Sequence, residues 1–197
     1  MKTWVILIIC SSLFIISSCS ESKEETEEQT PERLLNSIEE MDDSLKVLVE
    51  KRMRIDTFMI DKVVYHEAIN RNKAFYSSYP EHEKAEQSLE KIASMYLQIG
   101  VESEAAKWRD SILMNYPENE NKIGILEMQM NYYDYDNYNS DKIKYYTEQL
   151  LNIENLPKGK REDYEFRLKH LDKTFDELIM IRMQENDSVN SVKVESI

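Results

Sequence analysis

The chain has 197 residues, with 38 acidic against 25 basic side chains and a formal net charge of -13. This acidity argues against nucleic-acid binding, because phosphates would repel it, and against direct adsorption to anionic lipid. An acidic surface can bind a positively charged partner, but more commonly it is a solvated surface that keeps a protein soluble. Three glycines and four prolines are too few for a hairpin or sandwich fold. Long stretches rich in Glu, Lys, Leu, Met and Gln favour helices, so the composition predicts an all-α protein.

Residues 1–18 have the features of an export signal. One lysine precedes an apolar run to Ile16, which has the length of a signal-peptide core and is short for a membrane span. The run is followed by Ser17-Ser18-Cys19, and the whole resembles the bacterial lipobox. The resemblance implies that residues 1–18 are removed and that Cys19 carries covalent lipid, which anchors the protein to a membrane. The alternative is a plain secretory signal with Cys19 as a leftover thiol.

The segment after this cysteine predicts a tether. Cys10 lies inside the predicted signal, so the exported protein has no thiol left for a disulfide. Residues 19–31 have many acids and no large apolar side chain, which is typical of a disordered, extended segment. Residues 20–25 resemble the acid-rich signal that sends lipoproteins to the cell surface in the Bacteroidetes. An acidic linker that keeps the domain off an anionic surface is an equal alternative. We expect the protein to lie in the cell envelope at the outer membrane. The sequence does not distinguish its periplasmic face from its outer face.

Residues 32–185 are predicted to form the folded domain. The stretch from Pro31 to Ile60 has the apolar spacing of one long amphipathic helix. Pro80, Pro117 and Pro157 then follow at intervals of 37 and 40 residues. Regular intervals of this size indicate stacked helical hairpins.

The segment between Pro80 and Pro117 resembles one tetratricopeptide repeat. Its large apolar, small, aromatic, alanine and proline positions have the spacing of that family: Leu89, Ile92, Ala93, Tyr96, Ala105 and Pro117. Two departures are Arg109, where an aromatic residue is usual, and Ile112, where a small one is usual. The flanking copies are weaker. The resemblance implies a short stack of antiparallel helical hairpins, a tetratricopeptide-like α-solenoid, with a long N-terminal helix and a C-terminal capping helix.

The last third of the domain is predicted to hold three helices. One runs through Ile123 to Tyr133, and a second from about Ser140 to Leu151, with a loop at 137–139. A final helix from Lys160 onward would cap the stack. Residues 186–197 show no periodicity and are predicted to be a disordered tail.

Motifs for catalysis or metal binding are missing from the sequence. The three histidines are scattered, and no nucleophile or phosphate-loop motif occurs. We therefore expect no enzymatic activity, no metal and no cofactor other than the lipid on Cys19. Asp134, Asp136, Tyr138 and Ser140 space oxygen atoms as a calcium loop does, but the glycine and terminal glutamate of that loop are missing. A polar turn explains this spacing better.

Several tyrosines between 132 and 146 suggest either core packing or binding. We expect Tyr133 and Tyr146 in the core, because aromatic residues fill the seams between hairpins in the family that the chain resembles. Tyr135 and Tyr138 lie in the presumed loop and are the candidate contacts with a partner. The methionines are predicted to fill gaps in the core.

The chain as a whole resembles the small tetratricopeptide lipoproteins of the Bacteroidetes. This implies a membrane-anchored scaffold or adaptor that presents a groove to a protein or peptide segment in the cell envelope. The alternative is a small-ligand or solute-binding lipoprotein that serves an outer-membrane uptake system. An open groove favours the scaffold, and a buried cavity lined by the tyrosines of 130–146 favours the ligand-binding protein.

Overall fold

The computed structural model describes residues 29–55 and 60–195. The predicted signal peptide, Cys19 and nearly all of the predicted tether lie outside these residues. Within the two described ranges the chain forms eight α-helices and one short π-helical segment, with no strand. The all-α prediction is therefore confirmed. None of the helices in these ranges is both long and apolar enough to cross a bilayer.

The helices follow one another with short connections. They are α1 Pro31–Ile55, α2 Lys62–Ser78, α3 Ala85–Gln98, α4 Glu102–Asn115, α5 Lys122–Asn131, α6 Ser140–Leu151, α7 Lys158–Lys169 and α8 Phe175–Glu195. The π-helical segment Tyr132–Asp136 joins directly to α5. Each helix from α1 to α6 packs against the next along the chain, and α3 and α4 form the most extensive pair.

Local signals in the sequence explain several helix ends. Asp61 caps α2 by accepting hydrogen bonds from the backbone N–H groups of Val63 and Val64. Gly100 has a φ of 76°, in the left-handed region, and stands just after the end of α3, where glycine is favoured. Asn139 caps α6 in the same way as Asp61 caps α2.

The end of the domain differs from the sequence prediction. The single helix predicted from Lys160 onward is two helices, because a turn separates α7 from α8. Thr174 and Glu177 form a capping box that starts α8: each side chain accepts a hydrogen bond from the other residue's backbone N–H. Helix α8 also continues to Glu195, through most of the stretch predicted to be a disordered tail. No glycine or proline follows Gly159 to end it.

The apolar interior has two parts. The larger cluster joins α1 to α5 and contains, among others, Ile69, Leu89, Ile92, Tyr96, Ala105 and Ile112. The smaller cluster joins α5 to α7 around Leu126, Tyr146, Leu150, Leu156 and Tyr164. Ala93 and Ala105, the small residues of the repeat pattern, are both buried. Small side chains let neighbouring helices approach closely, which agrees with the extensive packing of α3 on α4.

Several long-range hydrogen bonds join residues 33 to 36 positions apart. They include Tyr65 with Gln98, Asn119 with Glu86, Arg167 with Asp134, Tyr116 with Pro80 and Tyr146 with Asp110. This separation is close to the interval of 37 to 40 residues between the prolines.

The two Tyr-Pro-Glu phrases make related contacts. The hydroxyl of Tyr116 donates to the backbone oxygen of Pro80, at 3.2 Å, and the hydroxyl of Tyr79 donates to that of Gln29, at 2.5 Å. Each tyrosine thus ties its own turn to the segment just before an earlier helix, α3 or α1. The repeated sequence phrase therefore corresponds to a repeated contact.

Candidate interaction surface

A groove of about 320 Å³ lies between α3 and α5. We call it the central groove. Its main lining residues are Ala93, Ser94 and Leu97 of α3, and Gly124, Ile125 and Met128 of α5, with Arg109 and Ile112 of α4 beneath them. Leu97 and Met128 are 43% and 48% exposed, although both are large and apolar, so the prediction that Met128 fills a gap in the core is wrong. The groove opens to solvent, and these two side chains form its exposed apolar surface.

An acidic surface continues from the central groove toward the turn between α4 and α5. We call it the acidic rim, and its carboxylates are Glu83, Glu86, Glu90, Glu118 and Glu120. Glu90 also lines the central groove, so the two surfaces are continuous. The amide of Asn119 is buried and donates to Glu86 at 2.7 Å and to Glu90 at 2.8 Å. Lys84 is the one basic residue lining this surface, so its field is negative.

A polar network, part of it buried, supports the central groove from below. Arg109 donates from Nε to Gln129, at 2.8 Å, and from Nη2 to Glu102, at 2.5 Å. Gln129 donates in turn to Asp110, and the hydroxyl of Tyr146 also donates to Asp110, at 2.5 Å. Burial and the neighbouring Asp110 raise the pKa of Tyr146 well above its usual value. The phenol therefore stays protonated at neutral pH and acts as a hydrogen-bond donor that joins α6 to α4.

Sequence reasoning did not find this network. Arg109 was recognised only as a departure from the repeat pattern, and Gln129 gave no signal except a polar side chain among apolar ones. The structure explains the departure. Arg109 stands where the repeat pattern usually has an aromatic residue, and Gln129, 20 residues later, accepts a hydrogen bond from its guanidinium.

A second open surface, the terminal cleft, lies among the π-helical segment, α7 and α8. It measures about 500 Å³ and is mostly apolar, with lining residues that include Tyr135, Phe166, Phe175, Leu178, Ile179 and Met183. At its edge the guanidinium of Arg182 lies 3.8 Å from the ring centre of Phe166 and donates to Asp163 at 2.9 Å. These contacts hold α8 against α7.

The two candidate contact residues are exposed, as the sequence predicted, but only Tyr138 lies in a loop, because Tyr135 belongs to the π-helical segment. Tyr135 is 55% exposed and lines the terminal cleft, where its ring stands edge-on to Phe175 at 4.8 Å. Burial of part of the ring and the nearby Asp134 raise the pKa of Tyr135. Tyr138 is 54% exposed, and its hydroxyl donates to the backbone oxygen of Leu171 at 2.7 Å. Tyr138 therefore fastens the turn after the π segment to the turn before α8. Contact with a partner stays a prediction for both.

The other tyrosines of this region pack against one another. Tyr146 is fully buried, as expected, whereas Tyr133 is only half-buried and stacks on Tyr146 with ring centres 5.8 Å apart. Tyr132, which had no assigned place, is buried and stands edge-on to Tyr133. Their rings fill the interior between α5 and α6, and they line neither the central groove nor the terminal cleft.

The calcium-like spacing has a structural explanation. Both carboxylate oxygens of Asp134 accept hydrogen bonds from Arg167, at 2.7 and 2.8 Å. Asp134, the first ligand of the supposed calcium loop, is therefore already engaged in an ion pair. The histidines also stay apart, with His82 against Phe75 and His170 against Phe166. Among the described residues no three side chains come together as metal ligands would.

The fold and these surfaces define an all-α protein in which successive helices pack together and leave two open, partly apolar grooves. The chain matches no protein-family model, and comparisons with curated proteins and with solved structures found no significant match.

Proposed function

We propose that this protein is a lipid-anchored interaction scaffold of the bacterial cell envelope, built as a short tetratricopeptide-like stack. The observation that carries the proposal is the central groove, because it exposes Leu97 and Met128 side by side with a continuous acidic rim. Open grooves between stacked helices are the surfaces on which such repeats bind protein segments.

The pairing of helices supports the repeat assignment. We take α1 with α2, α3 with α4, α5 with α6 and α7 with α8 as four hairpins. The first helices of these hairpins meet one another: Lys91 of α3 pairs with Asp42 of α1, and Lys160 of α7 pairs with Glu127 of α5. The central groove lies between the first helices of the two middle hairpins. In a solenoid of helical pairs, this arrangement generates an extended concave face.

The alternative, a small-ligand lipoprotein, has less support. Sites for small molecules usually bury most of the ligand surface in a concave, mainly closed pocket. The central groove and the terminal cleft are both open to solvent, and the tyrosines that would line a cavity instead pack on each other. An extended segment of a partner fits such surfaces better than a solute does.

The anchor rests on the sequence of the export signal and on Cys19. The dense acid content disfavours adsorption to anionic lipid, so covalent lipid is the means of membrane attachment in this proposal. The acidic residues between Cys19 and the first helix would set the folded part away from the membrane surface.

Site-specific photo-crosslinking in native cells tests the scaffold. A photoreactive amino acid replaces Leu97 or Met128 in the central groove, with Met114 as the control, since Met114 is exposed on α4 outside the groove. We expect the same envelope proteins to be captured at both groove positions, to be missing at Met114, and to be lost when Cys19→Ala releases the protein from the membrane. Equal capture at all three positions would contradict the proposal.

A further inference from the structure

Gly124 occupies a place where nothing in the described part of the chain requires glycine. It lies in α5, and its φ is not in the left-handed region, where only Gly100 falls among the glycines. A Cβ built on Gly124 would meet no atom within 4 Å. Glycine within a helix is unfavourable compared with alanine, because it loses more backbone freedom on folding. The residue thus weakens its helix without making room for another part of the fold.

The space above Gly124 belongs to the central groove. Ala93 and Ser94 of α3 line the same groove, so both helices contribute small residues to its lining. Leu97 and Met128 also line it and are half-exposed. The result is a shallow apolar seat in which an incoming side chain can approach the backbone of α5 closely.

Most of the exposed charges around this seat are negative. Arg109, the cation beneath the groove, is buried and paired with Glu102 at 2.5 Å. Glu86 and Glu90 are held by Asn119 at the start of the acidic rim, where both remain partly exposed. A segment that passes over Gly124 toward the α4–α5 turn therefore meets unneutralised carboxylates, which attract Lys and Arg and repel Asp and Glu.

We propose that the central groove binds a partner-protein segment in which an apolar side chain seats over Gly124 and neighbouring Lys or Arg residues face the acidic rim. This inference rests on the proposed scaffold function and names the chemistry of its partner. The apolar seat supplies contact area, and the rim supplies selection by charge.

Two series of short synthetic peptides test the inference with the purified soluble part of the chain from residue 20 onward, whose only omission is the predicted signal and anchor. Both series carry Leu and Phe at varied positions; the remaining positions are Lys and Arg in one series and Asp and Glu in the other. Binding is measured by fluorescence anisotropy in about 50 mM and about 300 mM salt. We expect the best basic peptides to bind at least about tenfold more tightly than the best acidic ones. Their affinity should fall at the higher salt concentration, because screening weakens the attraction of the rim.

Gly124→Leu and Gly159→Leu form a matched pair of variants. Each replaces a helical glycine whose Cβ would meet nothing within 4 Å, but only Gly124 lines the groove. We expect Gly124→Leu to weaken binding of the basic peptides by about tenfold or more and Gly159→Leu to leave it unchanged. Glu86→Gln with Glu90→Gln should weaken binding and reduce its salt dependence. Circular dichroism of each variant checks that its helices are intact.

The results separate this inference from the proposed function. Equal binding of both series, no binding of either, or binding that Gly124→Leu leaves unchanged overturns the inference. Photo-crosslinking at Leu97 and Met128 reports independently on the scaffold, because it uses the partners present in native cells. Selective capture there together with a failure of the basic peptides would leave the scaffold standing and reject its stated charge preference.

Discussion

Arg167 donates two hydrogen bonds to Asp134, from Nε at 2.7 Å to one carboxylate oxygen and from Nη2 at 2.8 Å to the other. The side chains are only 7% and 6% exposed. A third donor, Nη1 of Arg167, reaches the backbone oxygen of His170 at 2.6 Å. This bidentate pair links the π-helical segment to α7 and to the turn that precedes α8. The ion pair therefore holds the π-helical segment in a fixed orientation against α7, where both line the terminal cleft.

We expect Asp134→Ala to lower the free energy of unfolding by about 3–5 kcal/mol, because it leaves the guanidinium of Arg167 buried without its partner. Urea denaturation followed by circular dichroism measures the change. Asp163→Ala is the control: its ion pair with Arg182 is largely exposed, and we expect a loss of less than about 1 kcal/mol. Similar losses for both variants would mean that the buried pair contributes no more than the surface pair.

Gly124→Ala and Gly100→Ala should change stability in opposite directions. The first adds a methyl group where nothing lies within 4 Å and favours the helix, so we expect a gain of about 0.5–1 kcal/mol. The second forces a side chain into the left-handed region at φ 76°, so we expect a loss of about 1 kcal/mol. Thermal unfolding of the two variants and of the wild type shows the direction of each change in stability. A loss of stability in Gly124→Ala would show that the glycine has a structural role.

Tyr146→Phe should cost about 1 kcal/mol, because the partly exposed Asp110 loses the hydroxyl donor of a buried tyrosine 2.5 Å away. Its neighbour Tyr145 is more than half exposed, so we expect Tyr145→Phe to change stability by less than about 0.5 kcal/mol. Chemical denaturation of both variants compares the free energy of unfolding lost at two tyrosines of the same helix, α6. If the two cost the same, the network beneath the central groove does not stabilise the fold.

Glu127 should make stability depend on pH in the acid range. Burial alone would raise the pKa of Glu127, but hydrogen bonds from Lys160 and Tyr164 outweigh it and lower the pKa. A lowered folded-state pKa stabilises the protein above the unfolded-state pKa of about 4.3, and the effect is lost as the pH falls through the folded-state value.

We therefore expect Glu127→Gln to be less stable than wild type by about 1 kcal/mol at neutral pH, and the difference to disappear in stronger acid. Urea denaturation at a series of pH values measures it. The same substitution in a Tyr164→Phe background should show a smaller pH-dependent difference, since one of the two donors is already absent. A constant difference at every pH would rule out the role assigned to the Glu127 carboxylate.

Cys19→Ala should abolish metabolic labelling by an alkyne-bearing palmitate and release the protein from the membrane fraction. Cys10→Ala is the matched control, because Cys10 lies inside the predicted signal peptide, and we expect both labelling and fractionation to persist. Labelling of the Cys19→Ala protein would disprove attachment at that cysteine.

The regions that matched the sequence prediction are those with strong local signals. Gly100 separates α3 from α4 and Pro117 follows α4, and the structure ends helices beside both. The break between α7 and α8 was missed although Thr174 and Glu177 have the spacing of a capping box. The apolar residues on both sides of the break continue the same helical spacing, so the apolar pattern alone does not indicate a turn.

The all-α class, the approximate helix boundaries up to α6 and the exposure of Tyr135 and Tyr138 followed from the sequence by itself, because helix propensity, apolar period and turn residues act over a few neighbouring positions. Only the tertiary structure decided how buried polar groups are paired, since Arg109 meets Gln129 and Arg167 meets Asp134 across 20 and 33 residues. It also decided that Gly124 faces an open groove beside an acidic rim. The position of a helix face relative to its neighbours depends on packing across the whole fold, and no local pattern encodes it.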